Sequence, residues 1–128
     1  MYELTIERNF SAAHMMRDHP GVCARLHGHN YRVLLTVVGD TLDECGMLVD
    51  FSQLKRIFDQ ILADLDHRNL NEIPPFDEIN PSSENLARYL FERTGEALPN
   101  EVTVSAVTIY ESATSSVTYR GPDIRRGG

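Results

Sequence analysis

Hydrophobic and polar side chains alternate from the first positions of the chain. Tyr2, Leu4, Ile6, Phe10 and Ala12 share one parity, and Glu3, Thr5 and Glu7 the other. That period of two predicts a strand with one buried face. Residues 14–26 have no period and are broken by Asp18, Pro20 and Gly21, so they read as a loop. Alternation resumes over residues 27–39, with Tyr31, Val33, Leu35 and Val37 on one face, and Asp40 to Met47 forms the next loop. The period then changes. Phe51, Leu54, Ile57, Phe58, Ile61, Leu62 and Leu65 follow the stripe of an amphipathic helix, with Asp50 and Gln53 fitting a capping box at its start. Three prolines and three asparagines make residues 69–81 a loop. Pro81-Ser82-Ser83-Glu84 announces a second helix, with an N-cap serine and an acid in the first turn. Its apolar side is Leu86, Tyr89, Leu90 and Leu98, and Gly95 is expected to fray or end it. Residues 102–111 and 117–120 read as two more strands, a hairpin joined around Ser112-Ala113-Thr114.

The order strand, strand, helix, helix, strand, strand predicts an α+β domain, a four-stranded antiparallel sheet covered on one face by two helices. The domain is expected to span residues 1–121, with a polar, disordered tail over 122–128. The second sheet face also needs cover, which suggests self-association.

Composition narrows the function. At 128 residues the chain suits one domain, and 41% hydrophobic with 24% charged residues is ordinary for a globular one. The net charge is −7, the wrong sign for a general nucleic-acid binder. Nearly all the cations are arginines, with Lys55 the one lysine. Arginine grips phosphate bidentately, so a few placed arginines can hold an anionic small molecule. Two cysteines make no disulfide scaffold. The acidic N-terminus is no signal peptide and the longest apolar run, Val33 to Val38, is too short for a bilayer. A cytoplasmic protein with reduced thiols and no membrane partner is expected.

Five histidines are present, and geometry can bring three together. His27 and His29 are two apart on one strand and share a face. Gly28 between them permits close approach. His14 ends the preceding strand, and antiparallel pairing places position 14 roughly opposite position 28. Three imidazoles with no obvious fourth ligand have the stoichiometry of a catalytic zinc site, which keeps one position open. Strand histidines bonded to backbone are the plainer alternative. Cys23 stands four residues before His27 in a loop, beside Arg25, where a cation or metal lowers a thiol's pKa; an inert thiol or a fourth ligand remain open. Cys45, behind two acids, reads as incidental. Asp66-His67 is an acid/base pair in form, or a simple helix end. His19 reads as surface loop. Glu111, at a strand end, can grip a guanidine-like edge with two parallel hydrogen bonds, or be merely solvated.

The combination resembles a known family. Phe10-Ser-Ala-Ala-His14, Cys23-Ala-Arg-Leu-His27-Gly-His29-Asn30-Tyr31, Val49-Asp50-Phe51, Leu65-Asp66-His67-Arg68-Asn69-Leu70-Asn71, Asn80-Pro-Ser-Ser-Glu84-Asn85-Leu86-Ala87 and Tyr110-Glu111 are similar, in order and spacing, to the 6-pyruvoyl-tetrahydropterin synthase family. The likeness covers residues 3–121. It implies the T-fold, assembled as a homohexamer from two trimers with active sites between subunits. It implies zinc on His14, His27 and His29, Cys23 as the thiol that moves a substrate proton, Asp66 and His67 as a relay, and Glu111 anchoring the pterin, with Ser82 and Ser83 also binding substrate. Ser82 departs from the threonine usual there but keeps a hydroxyl. The implied substrate is 7,8-dihydroneopterin triphosphate. The three residues between Cys23 and His27 look most like the bacterial branch of queuosine biosynthesis, which leaves a carboxylate on the pterin and releases triphosphate and acetaldehyde. The pyruvoyl branch, releasing triphosphate alone, has a longer loop. A non-catalytic zinc- or pterin-binding module of the same fold is the alternative of another class; it predicts that Cys23 is dispensable.

Overall fold

The computed structural model describes residues 1–19, 21 and 24–122. Cys23 and the predicted tail beyond Pro122 lie outside the described residues.

Two 13-residue strands, β1 (Tyr2–His14) and β2 (His27–Gly39), form one unbroken antiparallel ladder from Tyr2 opposite Gly39 to His14 opposite His27. Helix α1 (Phe51–Leu62) follows, then a two-residue strand β3 (Arg68–Asn69) and a 3₁₀ turn at Leu70–Glu72. Helix α2 (Ser83–Ala97) leads into β4 (Thr103–Ser112) and β5 (Ser115–Tyr119). The sheet order is β3-β1-β2-β4-β5.

The α+β architecture and the alternation of strands and helices are as the pattern predicts, with one addition. The sheet has five strands and is mixed, because β3 pairs in parallel with Ala12 and Ala13 of β1. Two residues are too few for a hydrophobic period, so β3 is invisible as a strand in the sequence. Both helices cover the same face. Ile6 and Phe10 of β1, Tyr31, Val33, Leu35 and Val37 of β2, and Val107 and Ile109 of β4 meet Leu54, Phe58, Leu86 and Leu90 in one core. Phe10 and Tyr31 stack with ring centroids 4.8 Å apart. The opposite sheet face is laced by polar cross-strand pairs: Thr5–Thr36 at 3.0 Å, Arg32–Glu7 at 3.0 Å and Thr108–Thr118 at 2.7 Å.

Local chemistry sets the boundaries. Asp50 caps α1 by accepting from the Ser52 N–H rather than through the Gln53 box expected. Phe51, placed on the apolar stripe, is 54% exposed at the first helical position. Ser82 caps α2, accepting from the Asn85 N–H at 3.1 Å. Gly95 does not end α2, which runs on to Ala97; the cost of an interior glycine, about 1 kcal/mol, is smaller than the gain from the Leu86 and Leu90 side chains that the helix buries before it. Strand β4 carries two irregularities. One, opposite Thr36 and Val37, shifts its parity so that Val104, Val107 and Ile109 all face the core. The other leaves Glu111 as the extra residue between the pairs Tyr110–Ser116 and Ser112–Ser115. Among the described residues, no helix is long and apolar enough to cross a membrane.

Candidate metal centre and cleft

The core face of the sheet extends past its helical cover at one end. There β1 and β2 finish with His14, His27 and His29 in place of leucines and valines. His14 stands opposite His27, and His29 opposite Ala12. The register differs by one residue from the expected pairing of 14 with 28. The difference matters, because directly paired residues share a face and position 28 points away from both imidazoles of its own strand. Observed pairing puts all three rings on one side, with centroids 4.6–5.0 Å apart.

Hydrogen bonds fix the ring orientations. The Nδ1 of His14 is 2.7 Å from the Pro81 carbonyl, and that of His27 is 2.7 Å from the Arg25 carbonyl. A carbonyl oxygen only accepts, so each Nδ1 carries the proton and each Nε2 presents a lone pair. Those two Nε2 atoms lie 3.0 Å apart. Two lone pairs at that distance need a cation between them. Burial foremost, with repulsion among the imidazoles, holds His14 below its ordinary value, and burial does the same for His29, which favours the neutral, metal-ligating form of each. The Nε2 of His29 is buried without a hydrogen-bond partner. Glu111 Oε1 stands 3.4 Å from it, a long and poorly directed contact that leaves the nitrogen unsatisfied.

The three ligand nitrogens lie within 4.8 Å of one another. Nitrogens on a tetrahedral ion at ~2.0–2.1 Å sit about 3.3 Å apart. The donor set therefore fits a metal: three imidazoles, two of them oriented by carbonyls behind. Tyr31 closes the back, fully buried, with its hydroxyl 3.4 Å from His14 Nδ1.

In front of His14 and His27 opens a cleft of about 350 Å³. The N-terminus of α2 supplies Ser82, Ser83 and Glu84 to its wall, and the β4–β5 turn supplies Glu111, Ser112, Ser115 and Ser116. The Ser83 hydroxyl donates to Glu111 Oε2 at 2.7 Å and so orients the carboxylate. The predicted Ser82, Ser83 and Glu111 thus share one cleft with two of the three histidines.

Asp66 and His67 do not line that cleft. They lie past the end of α1, on the outer edge of β1. Asp66 Oδ1 accepts from the Ser11 N–H at 2.9 Å and stands 2.9 Å from His67 Nδ1. The bond from Ser11, foremost, holds the Asp66 carboxyl below the ordinary range. The His67 N–H in turn bonds the Ser11 carbonyl, which holds this residue in the left-handed region at φ 59°. His67 is 80% exposed, an acid/base pair presented outward.

Two features were not foreseen. His19, expected on plain surface loop, lines the cleft. No arginine or lysine lines it among the described residues, although arginines were expected to hold an anionic ligand. Loop contacts decide both, and loops carry no hydrophobic period. The segment after β1 is pinned by side-chain amides. Asn71 bonds Met15 N–H and carbonyl at 2.8 and 3.0 Å, and Asn80 bonds those of Arg17 at 2.8 and 3.1 Å.

Comparison with known proteins bears on the same arrangement. Residues 3–122 match the family model described as 6-pyruvoyl tetrahydropterin synthase. A 6-carboxy-5,6,7,8-tetrahydropterin synthase of Bacillus subtilis is 35% identical over 127 residues, covering 93% of this chain and 85% of the relative. One from Synechocystis is 36% identical over 95% of both. The solved 6-pyruvoyl tetrahydropterin synthase of Caenorhabditis elegans superposes with a TM-score of 0.80 at 33% identity, over 95% of this chain and 98% of that one.

Proposed function

The chain belongs to the 6-pyruvoyl tetrahydropterin synthase family, and from that premise we propose that it is a zinc-dependent 6-carboxy-5,6,7,8-tetrahydropterin synthase. It converts 7,8-dihydroneopterin triphosphate to the 6-carboxypterin with loss of triphosphate and acetaldehyde, the step that feeds queuosine biosynthesis. The observation that carries the reading is the trio of imidazoles whose ligand nitrogens lie within 4.8 Å of one another, beside a cleft whose wall holds an oriented carboxylate. The bacterial relatives of that name support the carboxy product.

His14, His27 and His29 would hold zinc through their Nε2 atoms. Bound there, zinc supplies Lewis-acid polarisation of substrate oxygens, which acidifies the neighbouring C–H bonds. Glu111 accepts two N–H bonds from the amino-pyrimidine edge of the pterin, with Ser83 fixing the carboxylate's rotation. Ser82 and Ser83 present hydroxyls and the first N–H groups of α2 along the same wall. Cys23, four residues from His27, takes a proton from the substrate side chain as thiolate. Asp66 orients and stabilises His67, which moves a second proton. Because the pair faces outward from its own chain, it serves the cleft of a neighbouring copy, in keeping with a homohexamer built from two trimers.

A pyruvoyl product, with triphosphate as the only fragment released, is the second reading, favoured by the likeness to the Caenorhabditis elegans enzyme. The test common to both is triphosphate release by zinc-loaded protein. His27→Ala is expected to lose zinc and activity together, and Cys23→Ala to keep zinc and lose at least ~100-fold in kcat. Wild-type turnover by Cys23→Ala would rule out the thiol's role and favour a pterin-binding module.

A further inference from the structure

The cleft assigned above to a pterin triphosphate has a charge deficit. The charged side chains other than histidine in its described wall are Glu84 and Glu111, both acids. Glu111 and the histidine cluster take up the ring and the first side-chain carbons, so this chain's own contribution to the phosphates falls to the remaining wall, beside whatever a neighbouring copy supplies. Ser82 Oγ already accepts from Asn85 and Ser83 Oγ already donates to Glu111. The arginine on the loop leaving β1 is turned away: Arg17 donates from its guanidinium to the carbonyls of Ile79 and Phe76, at 3.1 and 2.7 Å. Two residues later the same loop brings His19, exposed and outside the metal cluster, into the cleft wall.

We propose that His19 binds the phosphate chain of the substrate and sets the preference for phosphorylated over unphosphorylated pterin. Its imidazole offers an N–H donor in either protonation state and a cation when protonated. Among the described lining residues it is the one side chain, apart from the metal-cluster histidines, with a cationic form. The inference rests on the proposed substrate, so its test must stand apart from turnover.

Two measurements on the zinc-loaded protein do this. Calorimetric titration with inorganic triphosphate is expected to show about tenfold weaker binding in His19→Ala, and near wild-type binding in His19→Lys, which restores a cation. Kinetics with 7,8-dihydroneopterin triphosphate are expected to show KM raised about tenfold in His19→Ala with kcat within about twofold, the mark of a contact made equally in ground and transition states. Unchanged triphosphate binding with unchanged KM in His19→Ala would overturn the assignment and leave the enzyme's function standing. A wild-type protein that does not turn over the pterin triphosphate would overturn the functional reading, and the titration would still decide His19.

Discussion

His14 shows how one side chain is prepared for a metal by its surroundings. It is 2% exposed, its Nδ1–H is fixed on the Pro81 carbonyl, and burial keeps it neutral. The pH consequence has a definite sign. Its folded value lies below the ordinary 6.5, so its contribution to stability is complete above 6.5 and is lost as pH falls from there through the folded value. His29, lowered by the same burial, acts in the same direction. Metal-free protein should therefore melt several degrees lower at pH 5.5 than at pH 7.5, and zinc affinity should fall in step because protons compete for Nε2. Equal melting temperatures of the metal-free protein at the two pH values would contradict the lowering of His14 and His29 by burial. The trio was legible in the sequence because parity on a strand dictates facing, while its register was one residue out because the loop between the strands gives no count of where pairing begins. His19 was not legible at all, since nothing in a loop's composition tells which way it folds back.

At the scale of elements, periodicity carried both long strands and both helices, and it stopped where backbone satisfaction took over. Glu111 illustrates the limit: alternation with Val107 and Ile109 places it on the core face, but neither its unpaired place between Tyr110–Ser116 and Ser112–Ser115 nor its bond from Ser83 shows in the pattern. The strand β3 exists because the turn after α1 is bonded to Ser11 of β1 through both the Asp66 carboxylate and the His67 N–H. Caps were partly legible: Asp50 does start α1, through a different bond from the one expected. Asp50→Ala should cost about 1 kcal/mol of stability in denaturant unfolding and leave kcat unchanged, because α1 contributes nothing to the cleft wall. A loss of activity at unchanged stability would mean that α1 acts on the site in a way its packing does not indicate.

At the scale of the whole molecule, one chain holds the proposed catalytic groups in two places that do not meet. His14, His27, Ser83 and Glu111 line one cleft, and Asp66-His67 stands on the far edge of β1. Motif order alone does not reveal the separation, although the family resemblance implies active sites between subunits. The separation calls for a second copy and makes a specific prediction. Cys23→Ala and His67→Ala, each inactive alone, should regain activity when unfolded together and reassembled, because some clefts then receive Cys23 from one chain and His67 from another. Absence of any recovery in mixtures that reach the native size by light scattering would place both groups in one subunit's site.

The most direct measurement is mass-spectrometric identification of the products that zinc-loaded protein makes from 7,8-dihydroneopterin triphosphate. 6-Carboxytetrahydropterin together with acetaldehyde and triphosphate is the predicted result. 6-Pyruvoyl-tetrahydropterin without acetaldehyde would contradict the carboxy assignment while keeping the metal centre and the cleft, and unconsumed substrate would contradict the enzyme itself.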